Sequence, residues 1–174
     1  MIRRYVVLLA VLAFISSTAT APAQSLQDEL LKDWLEMKGT ILKMADAMPE
    51  EKYTFKATPP QRDYGQQLLH VANANVINLN FLRGKATAPA INRNAKSKPE
   101  IVKAVTDSFD YGEALIREQT PQSLQEIVQT NAFLGPSSRA RVIYFLIGHS
   151  WDIYGQMVVY LRMAGVTPPA SAAP

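Results

Sequence analysis

His70 and His149 are the only two histidines in this 174-residue chain, which contains no cysteine. The lack of thiols removes disulfide frameworks, thiolate zinc sites, cysteine nucleophiles, covalent c-type haem and a lipidated-cysteine anchor. Three-histidine metal chemistry cannot be completed from the chain either. His70 stands in Leu68-Leu-His-Val-Ala72 and His149 in Leu146-Ile-Gly-His-Ser-Trp-Asp-Ile-Tyr-Gly-Gln156, each within a run of helical periodicity. Tight binding of an ion needs at least three protein ligands, and zinc usually takes four. On a helix the neighbours of His149 are positions 145, 146, 152 and 153, which are Phe, Leu, Asp and Ile. Among these only Asp152 carries a donor atom. Glu36, Asp63 and Asp110 are further carboxylates, and nothing in their spacing singles one out. The bland alternative is a pair of hydrogen-bonded core histidines. A third reading is a b-type haem held by the two histidines, or by histidine and methionine, as axial ligands.

The elements that must position these side chains are helices. Leu26, Leu30, Trp34, Met37, Ile41, Met44 and Met48 recur at spacings of three and four behind Ser25, which predicts a helix over 25–48, ended by Pro49. Residues 49–62 read as a crossover loop, with Tyr53 and Phe55 tucked onto the end of the bundle. A second helix is predicted from Asp63 to Arg83, stopped by Gly84; it carries His70 and the polar trio Asn73, Asn75 and Asn78. A polar linker then leads to Ser97-Lys-Pro-Glu100, a helix-start signal. The third helix runs to about Glu118, with Gly112 facing inward. Thr120-Pro121 begins a short helix to Val128, and 131–136 is a turn-rich connection. The fourth helix is the longest, Ser138 to Ala164 behind Ser137, with Gly165 as its left-handed stop. Gly148 and Gly155 within it read as points of close helix approach, and Trp151 as packing. No alternating run or internal repeat is present, so the fold class is all-α, a four-helix bundle with long crossover connections.

The N-terminus reads as an export signal. Arg3 and Arg4 precede the apolar run Tyr5–Ile15, and small residues follow with two small-x-small sites, Ala19-Thr20-Ala21 and Ala21-Pro22-Ala23. Eleven helical residues span about 16 Å, well short of a hydrocarbon core of about 30 Å. A cleaved leader of residues 1–23 is therefore expected, with cleavage after Ala21 as the competing site. Residues 24–170 then form the domain and 171–174 a loose tail. The leader takes two arginines and no acid with it, so Lys+Arg falls from 18 to 16 against 15 Asp+Glu, and the formal charge drops from +3 to +1. The apparent basicity, a pI near 9.2, nearly vanishes. The remaining basic stretch, 83–98, has no interleaved aromatics, so nucleic acid is not an expected partner. The mature protein is expected to be periplasmic or secreted, without a stable membrane anchor.

Three stretches together resemble the DinB family of DinB/YfiT-like metalloenzymes. They are His149-Ser-Trp-Asp-Ile-Tyr-Gly-Gln continuing to Ser171, Met48-Pro-Glu-Glu-Lys-Tyr-Thr-Phe55, and Tyr64-Gly-Gln-Gln-Leu-Leu-His-Val-Ala-Asn-Ala-Asn75. They run in order over nearly all of the mature chain. The resemblance implies a homodimeric four-helix bundle with a divalent metal inside one end. The family's ligands are one histidine on the second helix and two, four residues apart, on the fourth. His70 and His149 match two of these, and the third falls on Ile153, which has no donor atom. Two readings follow. In one, zinc or nickel binds weakly through His70, His149 and Asp152 and supports hydrolase- or transferase-type chemistry on a small molecule. In the other, the metal has been lost and the bundle serves binding or dimerisation. The export signal counts against low-molecular-weight thiol transfer, a cytoplasmic chemistry.

Overall fold

The computed structural model describes residues 25–131 and 133–172. The expected leader, residues 1–23, and the last two residues of the expected tail lie outside them. Four long helices make the body: α1 (Leu26–Ala47), α2 (Tyr64–Leu79), α3 (Lys98–Arg117) and, after the short α4 (Pro121–Gln125), α5 (Arg139–Met163). The all-α bundle expected from periodicity is the fold observed.

Each of the first three long helices begins where its sequence offers a reciprocal cap. Ser25 with Asp28, Asp63 with Gln66, and Ser97 with Glu100 each satisfy two otherwise orphaned backbone N–H groups. The α1 stripe buries Leu30, Trp34, Met37, Ile41 and Met44, while Leu26 at its start is exposed. α1 packs on α3 and α5, and α2 packs on the same two. The helices are thus ordered α1, α3, α2, α5 around one core, and the connections from α1 to α2 and from α3 to α5 cross the bundle. Crossing connections must be long, which accounts for the Pro-rich stretch 49–62 and for the irregular segment before α5.

The first crossover is pinned by aromatic hydroxyls. Tyr53 donates to the Ala45 carbonyl at 2.7 Å and Tyr64 to the Met44 carbonyl at 2.6 Å. Phe55 meets Tyr160 edge-on, so the Tyr53/Phe55 pair does close one end of the bundle.

Four local features differ from the sequence reading. The second helix tightens into a 3₁₀ turn over Asn80–Leu82, and Arg83, not Gly84, takes the left-handed conformation, with φ 51°. Gly84 is instead needed for space, because a Cβ there would lie 2.2 Å from Leu115 Cδ2. The short helix stops at Gln125, and Ile127–Val128 pairs antiparallel with Ser137–Ser138. That bridge moves the start of α5, whose cap is Ser138 rather than Ser137. At the other end α5 stops as expected. Gly165 has φ 75°, and the N–H groups of Gly165 and Val166 donate to the carbonyls of Arg162 and Leu161, a Schellman closure.

A histidine pair and a basic cleft

His70 lies in the second turn of α2 and His149 midway along α5, and the packing of these two helices brings the rings together. The two Nε2 atoms are 3.1 Å apart and the rings meet edge-on with centroids 4.9 Å apart. Phe145, one turn before His149, stacks against its ring at 6.3 Å. Both histidines are half-buried. Burial, more than any neighbouring charge, depresses both pKa values. That of His70 falls to about 4, with Arg62, His149 and Arg93 pushing it further in the same direction. That of His149 is also lowered, by burial first and Arg62 last, with Asp152 opposing. Both rings are therefore neutral at neutral pH. One Nε2 carries the proton and donates, and the other accepts. The buried Nδ1 of His149 has no partner among the described residues.

The expected carboxylates are occupied elsewhere. Asp152 is exposed and accepts from Gln156 Nε2 at 3.0 Å; Gln156 in turn accepts from Gln67 Nε2 at 2.8 Å. Glu36 pairs with Lys32 on the surface of α1, Asp63 caps α2, and Asp110 pairs with Lys38. Ile153 is buried, one turn beyond His149. The Nε2 separation suits two neighbouring ligands of one ion, since metal–nitrogen bonds of about 2.1 Å put such atoms about 3 Å apart. A third donor is what the site lacks. Among the described residues no three His, Asp or Glu side chains come together as metal ligands. The donors thus fit two corners of an ion and do not make up a three-ligand site. The pair is also poorly spaced for a haem. Trans ligands on one iron would stand about 4 Å apart by the same bond length.

A cleft of about 280 Å³ opens beside His70 and is lined by Arg62, Gln66, Leu69, His70, Asn73 and Arg93. Gln66, His70 and Asn73 share one face of α2 by their spacing of four and three. Arg62 comes from the end of the crossover and Arg93 from the linker before α3. Sequence reasoning found His70 and placed Asn73 on the same helix, but it did not foresee the two arginines. Arg93 falls in the basic stretch 83–98, whereas the only signal for Arg62 was its place in the loop just before a helix.

The family model described as the DinB family matches residues 18–174. This chain belongs to the DinB family. A crystal structure of a DinB-like protein from Bacillus cereus ATCC 10987 superposes with a TM-score of 0.72 at 22% identity, covering 80% of this chain and 93% of that one. The likeness to it is one of fold. No curated protein matches the chain.

Some of the fourth-helix motif has a role other than the expected one. A Cβ at Gly148 or at Gly155 would touch nothing within 4 Å among the described residues, so neither glycine admits a neighbouring helix of this bundle. The close approach is at Gly112 of α3. A Cβ there would lie 2.2 Å from the indole of Trp34, whose Nε1 donates to the Phe109 carbonyl at 2.8 Å. Trp151 is half exposed and packs on the surface, edge-on to Tyr154.

Proposed function

We propose that this chain is an exported DinB-fold binding protein that retains two of three metal-ligating positions and holds zinc or nickel only weakly. The observation that carries the reading is the 3.1 Å Nε2 contact between His70 and His149, with no third donor beside it among the described residues. Two neutral imidazoles already satisfy each other through one hydrogen bond, so an ion entering between them must break that bond and offer only two protein ligands in return. Ile153 stands on the same face of α5 as His149, where the third imidazole of such a site would project.

Export rests on the arginine, apolar and small-residue order of residues 1–23. Mass measurement on the exported protein is expected to give a first residue of Gln24, or of Pro22 if cleavage follows Ala21, and an uncleaved Met1 would overturn the export reading.

The test of the metal reading is titration of the mature chain with zinc and nickel beside Ile153→His. The wild type is expected to bind weakly, and the variant more tightly by orders of magnitude. Tight wild-type binding would sink the proposal. So would an Ile153→His protein that melts like wild type yet gains no affinity. Loss of the weak binding in His70→Gln/His149→Gln assigns it to the pair.

A second reading, a metal-assisted hydrolase or transferase, is favoured by one observation. The pair lies beside an open cleft rather than sealed in the core. On that reading His70 and His149 hold the ion and Asp152, which acts electrostatically on His149, orients the site.

A further inference from the structure

The cleft beside the histidine pair has a charge pattern that the pair itself does not explain. Arg62 and Arg93 are distant in sequence and belong to different loops, yet both line a cleft of about 280 Å³. Neither is in an ion pair among the described residues, where the six ion pairs involve Lys32, Lys38, Lys98, Lys103, Arg117 and Arg139. Among the described residues no carboxylate lines the cleft. Gln66 and Asn73 add neutral amide donors, and Leu69 supplies the apolar surface.

Both loops are held in place. The Tyr160 hydroxyl, on a buried side chain of α5, donates to the Arg62 carbonyl at 2.7 Å. Around Arg93 the chain folds into a turn in which Asn92 accepts from the Asn94 N–H through its side chain and from the Ala95 N–H through its carbonyl; Ala95 is buried. Two exposed guanidinium groups carried on held backbones line one opening, where their like charges repel each other and enhance the local field in a chain whose net charge is otherwise small. An oxyanion relieves that repulsion, and the guanidinium fork matches carboxylate and phosphate geometry equally well.

We propose that this cleft is a binding subsite for a small organic oxyanion, a carboxylate or a phosphate ester, gripped between Arg62 and Arg93 with its body over Leu69 and toward His70. The anion needs no metal. The proposal rests on the reading of this end of the bundle as a binding site, but not on any ion being held there.

The test is calorimetric titration of the full mature chain with succinate and with inorganic phosphate, in the presence of a chelator and at low ionic strength. At least one probe is expected to bind saturably at one site. Arg62→Gln and Arg93→Gln should each weaken it about tenfold or more, as expected for loss of a charge-assisted hydrogen bond. The double variant should abolish it, and Lys32→Gln, which removes an exposed charge outside the cleft, should leave it unchanged. Added salt should weaken it. Succinate alone binding identifies carboxylates as the ligand class, and phosphate alone identifies phosphate esters. The proposal is overturned if neither probe saturates, if the single arginine variants bind like wild type, or if Lys32→Gln loses as much as they do. Because the chelator is present throughout, failure here leaves the weak-metal reading standing, and the Ile153→His result leaves this one standing.

Discussion

His70 shows how a residue can be chemically poised by burial alone. Its ring is neutral because water is partly excluded and because two guanidinium groups and a second imidazole lie within reach. The same depression makes it a stability determinant. A histidine whose folded pKa lies near 4, below its unfolded value of 6.5, binds fewer protons in the folded state than in the unfolded one. Its contribution is complete above pH 6.5 and is lost as pH falls toward 4. Allowing for the half-exposed ring, the loss from this residue between pH 7 and pH 5 is ~1 kcal/mol. Urea unfolding at the two pH values should show a smaller drop for His70→Gln than for wild type. An equal drop in both proteins would mean that the ring titrates normally in the fold.

At the level of helices, the glycines separate packing from propensity. In α3, Gly112 lets the indole of Trp34 lie against the backbone, where a Cβ would overlap buried ring carbons at 2.2 to 2.5 Å. Trp34 is fully buried and tied to the Phe109 carbonyl, so it cannot step aside. Gly112→Ala is expected to destabilise the protein by about 1–3 kcal/mol through overpacking, outweighing the roughly 1 kcal/mol gained in helix propensity. Gly148→Ala in α5 has no such clash and should stabilise the isolated chain by up to about 1 kcal/mol. Thermal melts of both changes made in a monomeric Trp151→Glu background check the pair of signs. A stabilised Gly112→Ala would show that the two helices can move apart.

For the molecule as a whole, α5 keeps one face uncovered by the described residues. Tyr144, Trp151, Val159 and Met163 are exposed, and the open Gly148 and Gly155 fall between them, so the six positions follow one another at spacings of three and four. Such a stripe, with small residues that admit a second backbone, supports the proposal that the mature protein is a homodimer joined along this helix. Light scattering on the mature chain is expected to give twice the monomer mass, and Trp151→Glu to give the monomer with its helical content intact. A wild-type monomer at the concentrations of the metal and anion titrations would refute the dimer. It would also leave Gly148 and Gly155 without a structural reason. The dimer face follows α5 along the side away from the core, so the same helix would supply His149 to the site and the seam to the partner.

Much of this was legible along the chain because its causes are local. Helix boundaries follow from caps such as Ser25, Asp63 and Ser97, from Pro49 and from Gly165, each acting on backbone groups within a turn of itself. The buried faces follow from apolar spacing, and the two histidines were identified by being the only imidazoles present. Other features depended on which helices are neighbours, something spacing does not encode. The Nε2 contact across α2 and α5, the convergence of Arg62 and Arg93 from two loops, and the space that Gly112 leaves for Trp34 all arise from contacts between residues distant in sequence. Periodicity also could not distinguish Gly112, which faces Trp34, from Gly148 and Gly155, which face open space. A missing side chain carries no label for what fills its place, and only the packed bundle supplies one.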